Sequence, residues 1–168
     1  MKIFPILGLG FVFLAGCRVG DGHVQGAAAD MIDHPFPSFA FASIPGRDSV
    51  RSRHLAGSTS LVVFWATWCE PCREEVSVLK QLLKNDSSLK VIGLSVDESP
   101  AAVPLLVNRL SIPYPVGVGA NTFYDSLKLE SIPQSFLLDE KGILRDAFIG
   151  VVSDGALHQA IEKARQPL

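Results

Sequence analysis

The chain has 168 residues, 48% hydrophobic and 19% charged, a composition that builds one globular domain with a sizeable core and is too apolar for intrinsic disorder. Fifteen Lys and Arg against seventeen Asp and Glu leave a formal charge of -2, so no basic field exists to hold a phosphate backbone, which argues against nucleic-acid binding. Three cysteines are too few for a disulfide-scaffolded mini-protein, and no uncharged run reaches the length of a mature transmembrane helix.

After Met1 and Lys2, the residues from Ile3 to Gly16 carry no charge, and Cys17 and Arg18 follow at once. That length suits the apolar region of a signal peptide better than a membrane span. With small residues directly before the cysteine, Leu14-Ala15-Gly16-Cys17 resembles the bacterial lipoprotein signal, in which the cysteine is lipidated and becomes the mature N-terminus. An ordinary cleaved signal with an incidental cysteine and a buried N-terminal helix are the alternatives. From Arg18 to about His34 the sequence is small and polar with no apolar period, and it reads as a flexible tether. The expected division is a lipoprotein signal peptide over 1–16, a lipidated N-terminus and tether over 17–34, and a folded domain over 35–168.

Phe36, Phe39 and Phe41, interleaved with Pro35, Pro37 and Pro45, predict an extended and irregular segment before Ser58, with a hairpin as the alternative. Ser60 to Ala66 is a short continuous apolar run, the pattern of a central strand buried on both faces. From Pro71 to Lys84, Cys72, Val76, Leu79 and Leu83 form an apolar helical stripe opposite Arg73, Glu74 and Lys80. Leu89 to Val96 reads as a second buried strand, parallel to the first, and Ala101 to Leu110 as a second helix. Beyond Pro113 and Pro115 a short strand is expected near Val116 and a short helix over Thr122 to Leu129. Ser135 to Leu138 and Ile143 to Ile149 alternate around Glu140-Lys141-Gly142 and predict an antiparallel hairpin. Ser153 is placed to cap a terminal helix that ends at Arg165. The predicted class is α/β, a mixed central sheet with helices on both faces.

Phe64-Trp65-Ala66-Thr67-Trp68-Cys69-Glu70-Pro71-Cys72 sets a Cys-x-x-Cys at the junction of the buried strand and the first helix. There the first sulfur meets a helix N-terminus, whose unpaired N–H groups and dipole stabilise a thiolate. Cys69 is therefore the expected nucleophile, and Cys72, one turn along and shielded, the resolving thiol. A structural zinc site would need two further ligands, whereas His23, His34, His54 and His158 are scattered singly, and no metal is expected. A purely structural disulfide closing so short a loop would restrain the unfolded chain little. A decayed, inert module is the remaining bland reading.

The segment resembles the WCxPC active site of thioredoxin-fold proteins, and the helix and short strand between Pro100 and Ala120 resemble the central insertion of the TlpA/ResA type of exported thioredoxin-like proteins. The similarity runs from about Pro35 to Arg165 and is carried by Trp68, Cys69, Glu70, Pro71, Cys72, Glu75 and Ile132-Pro133. It implies a thioredoxin-like fold and a thiol-disulfide oxidoreductase, most often a reductant of exported proteins or of apocytochrome c, recharged by a membrane electron donor. No cofactor is implied beyond the redox-active Cys69–Cys72 disulfide, and a monomer is expected. Pro133 matches the family's cis-proline beside the dithiol. The bend would leave the Ile132 backbone free to pair with an extended substrate strand, giving affinity with little sequence demand. Glu75 matches the acidic residue of WCxPCxxE proteins, which raises thiol pKa values and accepts the resolving proton; a solvated surface Glu is the alternative. The buried Asp that thioredoxin carries before its first Cys is replaced by Val63. Trp68 is expected to pack beside Cys69 and limit water access, while Trp65, Tyr114, Phe123 and Tyr124 are assigned to packing.

Glu70 and Glu75 place negative charge where it disfavours a thiolate, so the couple is expected to be reducing. A thiol peroxidase of the related peroxiredoxin group would need P-x-x-x-T-x-x-C, but Val62 and Ala66 occupy the Pro and Thr positions of that motif. A dithiol module holding Cu(I) is the alternative from a different class. Service to cytochrome c maturation is not assigned, because Gln134 stands after the proline where dedicated proteins often carry an acid.

Overall fold

The computed structural model describes residues 26–44, 48–129 and 131–166; the expected signal peptide and Cys17 lie outside them. Its centre is a seven-stranded mixed sheet in the order β2-β1-β5-β4-β3-β6-β7, with β1 Ala40–Ile44, β2 Ser49–Arg51, β3 Ser60–Trp65, β4 Lys90–Ser95, β5 Val116–Val118, β6 Gln134–Leu138 and β7 Leu144–Ile149. β3, β4 and β5 run parallel, and β6 returns antiparallel on the other side of β3. Every residue of β3 is buried, as its unbroken apolar run predicts for the middle of a two-faced sheet. Successive side chains alternate between faces. Leu61, Val63 and Trp65 enter a core built with α1 (Glu70–Asn85), α2 (Val103–Leu110) and α4 (Asp154–Arg165), whereas Val62 and Phe64 enter a second core on the opposite face. That second core is rich in aromatic rings, where Phe36, Phe39, Phe41, Phe64, Phe136 and Phe123 of α3 (Asn121–Ser126) meet edge to face, tilted or, for Phe39 and Phe41, stacked.

α2 and β5 form the insertion expected between β4 and α3, and β5 extends the sheet so that β1 can add to it antiparallel. The segment expected to be irregular is in fact a hairpin: Phe41 pairs with Val50, and β1 is fastened to β5 through Ser43 and Gly117. Folded structure also starts earlier in the chain than the sequence implies. Gly26–Met31 forms a 3-10 helix with Ala28 buried, Asp33 pairs with Arg145 at 2.6 Å, and Pro35 bridges Ile143, so the folded unit begins upstream of Pro35. Small residues without periodicity look like linker, yet they suit a chain that lies flat on another surface. On α1 the fully buried side chain of the last turns is Leu82 rather than Leu83, which is only partly covered. Ser153 caps α4 as predicted, accepting from the Ala156 N–H at 3.3 Å. Among the described residues no helix is long and apolar enough to cross a membrane.

Candidate active site

β3 ends at Trp65, and after four intervening residues the chain enters α1 at Glu70. Cys69 is the residue that caps this helix, in an extended conformation, and its Sγ accepts the Cys72 N–H at 3.2 Å. A sulfur so placed takes the position that Ser or Asp oxygen occupies at other helix starts, facing donors the helix cannot satisfy itself. Pro71 in the first turn removes one of those donors without cost. Cys69 and Cys72 form a disulfide, with their Cα atoms 5.3 Å apart. Cys69 keeps 5% of its surface open and Cys72 1%, so an incoming reagent meets Cys69 first.

One turn along α1, Glu75 is 1% exposed, not on a solvated flank. Its Oε1 accepts from the Ser135 hydroxyl at 2.8 Å, while Oε2 is buried without a protein partner. Ser135 lies on β6 directly across from Val63, so the acid on α1 and the hydroxyl on β6 meet beside the position where thioredoxin keeps its Asp. Burial pushes the Glu75 pKa up to about 7, against a smaller downward pull from the Ser135 hydrogen bond. The carboxyl is thus poised to hold or release a proton near neutrality. Tyr114 is buried as well, and burial followed by the Glu75 charge raises its hydroxyl above the ordinary range, which keeps it protonated. Gly93 makes room for this group: a methyl there would stand 3.0 Å from Trp65 Nε1 and 3.3 Å from the Tyr114 ring.

Ile132-Pro133 is a cis peptide, and β6 begins at Gln134 opposite Phe64. Both residues therefore lie at the end of the sheet where β3 delivers the chain to Cys69. Among the described residues the Ile132 backbone makes no hydrogen bond, whereas the Pro133 carbonyl accepts from Gly150 at 2.8 Å. Glu70 turns to Arg73 at 2.7 Å on the open surface, so its charge is largely answered there.

Trp68 departs from expectation. It is 69% exposed rather than packed over the sulfur, because the Cys69 N–H closes a turn onto the Ala66 carbonyl at 3.2 Å and leaves residue 68 pointing outward. The turn is held by residues that no local sequence pattern singles out. Asp97, buried at the end of β4, accepts from the Thr67 N–H at 3.1 Å and 3.2 Å, from the Thr67 hydroxyl at 2.6 Å and from the Ser95 hydroxyl at 2.7 Å. Arg73 Nη2 donates to the Thr67 carbonyl at 3.0 Å. The signal for Asp97 was its place: an acid two residues past a central parallel strand, at the carboxyl edge where sites of open α/β sheets gather.

A Redoxin family model matches residues 32–164. The thiol:disulfide interchange protein DsbE of Pseudomonas fluorescens is 30% identical over 126 residues, which cover 74% of this chain and 70% of that protein. The thiol-disulfide oxidoreductase ResA of Bacillus cereus is 27% identical over 152 residues, covering 86% and 87%. A solved structure of a thiol:disulfide interchange protein of the thioredoxin family from Chlorobium tepidum superimposes with a TM-score of 0.68 at 27% identity, covering 77% of this chain and 94% of that one. Sulfur chemistry at a strand-to-helix junction and these relatives lead to the same place: the chain belongs to the Redoxin family and is a thiol-disulfide oxidoreductase like DsbE and ResA.

Proposed function

We propose that this protein is an exported protein-disulfide reductase, held on a bacterial membrane through a lipidated Cys17 and facing the extracytoplasmic space. The observation that carries the reductase reading is that α1 bears both Cys69 Sγ at its N-terminus and, one turn past Cys72, a buried carboxyl at Glu75 whose pKa is pushed up to about 7. In the reduced enzyme the Cys69 thiolate attacks one sulfur of a substrate disulfide. A mixed disulfide forms and the other substrate sulfur leaves as a thiolate, which takes up a proton. Cys72 then gives its proton to Glu75 and attacks Cys69 Sγ, releasing the second substrate thiol and closing the Cys69–Cys72 bond. Two electrons pass to the substrate, and a membrane electron donor returns them.

Once Glu75 is ionised, its charge disfavours thiolates nearby and so stabilises the disulfide form, which makes the couple reducing. Glu70, neutralised at the surface by Arg73, adds less to this than its sequence position implies. The free Ile132 backbone supports main-chain pairing with an extended substrate segment, and the exposed Trp68 beside Cys69 offers an aromatic surface to the same segment.

Cys72→Ser tests the reading directly. Reduced protein carrying this change is expected to accumulate mixed disulfides through Cys69 with insulin and with exported proteins of its host, and to lose turnover, while the wild type reduces insulin with dithiothreitol as donor. A wild type that leaves insulin intact, or a variant that traps nothing, would refute it.

A further inference from the structure

The exchange cycle contains a stage at which nothing covalent joins Cys69 to Cys72. While Cys69 is a thiolate or is bonded to substrate, its position depends on the turn that precedes it. That turn is short, and one residue in it, Thr67, is held through the peptide groups on both of its sides. Its N–H and its hydroxyl are bound by Asp97, and its carbonyl by Arg73. Asp97 is itself fixed, since Ser95 Oγ donates to its Oδ2 at 2.7 Å and accepts its own backbone N–H at 3.2 Å. The 2.6 Å contact from Thr67 Oγ1 is of the short, charge-assisted kind, about twice as strong as a neutral hydrogen bond. Arg73 follows Cys72 on α1, so the clamp ties three elements together: the exit of β3, the exit of β4 and the first turn of α1.

We propose that Asp97 is a positioning residue for thiol-disulfide exchange: by clamping Thr67 with Arg73, it keeps the Cys69 sulfur at the N-terminus of α1 whenever the bond to Cys72 is open. This rests on the reading of Cys69 as the attacking sulfur. Asp97 does not touch the reacting atoms. Loss of the clamp lets the turn swing, and the thiolate then leaves the Cys72 N–H that stabilises it. The disulfide form is tied covalently and is affected less.

Two variants separate position from charge. Thr67→Val removes the hydroxyl bond and leaves the carboxylate in place; Asp97→Asn removes the charge and part of the acceptor capacity. Full-length reduced protein is treated with iodoacetamide at fixed pH, and separately equilibrated with glutathione, at a temperature where circular dichroism shows each variant folded. Both variants are expected to alkylate at Cys69 about fivefold more slowly than wild type and to shift the glutathione equilibrium towards the protein disulfide, with Thr67→Ser restoring wild-type values. A carboxylate acting only by its charge gives the reverse for Asp97→Asn, faster alkylation, and no change for Thr67→Val. A merely structural Asp97 gives lower melting temperatures with unchanged alkylation and equilibrium. Either result overturns the proposal, and Thr67→Val decides alone if Asp97→Asn does not fold. A wild type unable to reduce insulin would instead remove the reading of Cys69 on which the proposal stands.

Discussion

Burying Glu75 costs the fold stability, and the cost depends on pH. In the folded protein the carboxyl stays neutral up to about 7, against 4.5 for the unperturbed group. Between these values the folded state binds more protons than the unfolded chain, so stability falls as pH rises through the interval and levels off above it. Replacing Glu75 by Gln abolishes this titration while keeping a polar group beside Ser135. Denaturant titrations of the oxidised proteins are expected to show Glu75→Gln gaining about 3 kcal/mol on the parent between about pH 4 and pH 8. A constant difference across that range would mean that Glu75 ionises normally and that the proton acceptor lies elsewhere. The identity of this acid was legible in its spacing from Cys72, but its burial was not. A Glu three residues after a cysteine could face water, and only the meeting of α1 with β6 brings Ser135 over it. Asp97 was hidden for the same reason, since its partner Thr67 is thirty residues away and no local pattern links them.

Among the secondary elements, those with one strong signal emerged with small errors at their ends. β3 announced itself by an unbroken apolar run, and α1 by its stripe and Pro71. The hairpin of β1 and β2 carried weaker information, because its strands are short, only partly buried and flanked by proline in sequence. It is secured by what it meets at β5. Gly117 lies between Ser43 of β1 and Leu94 of β4, and a methyl group there would come within 2.9 Å of Leu94 Cδ2 and 3.0 Å of Phe41 Cβ. The leucine tip can shift, but the Phe41 Cβ is fixed to its strand. Gly117→Ala is therefore expected to cost about 1–3 kcal/mol by overpacking, read as a lower urea midpoint at unchanged slope, with insulin reduction per folded molecule intact. A midpoint equal to the parent's would show that β1 is free to move away from the sheet.

At the scale of the whole molecule, the N-terminal segment is bound to the far hairpin by backbone hydrogen bonds, the Asp33 N–H to the Leu144 carbonyl at 2.8 Å and the Leu144 N–H to the His34 carbonyl at 2.9 Å among them, and by the side chain of one arginine. Arg145, mostly covered, donates to Asp139 and to Asp33. Asp139 is buried, a cost to its charged form that the Ile143 N–H, Arg145 and the Lys141 N–H outweigh, holding its pKa below the usual carboxylate range. The pair with Asp33 is open to solvent on the acid's side. Arg145→Leu is expected to cost about 1–3 kcal/mol because it deprives a buried carboxylate of its cation, whereas Asp33→Asn costs about 0.5 kcal/mol or less. Chemical denaturation of the two variants checks the order, and equal losses would place the strength of this joint in Asp33. Composition pointed to a single domain, but nothing in the residues around Ala28 advertised that they fold onto it. On the anchorage proposed through Cys17, this docking limits how far the folded body would stand from a bilayer. Eight residues separate Cys17 from Gly26, and at full stretch a segment of that length spans no more than about 30 Å. The proposal therefore places the domain close above the lipid headgroups, and clients that pass within that reach are the ones it would serve.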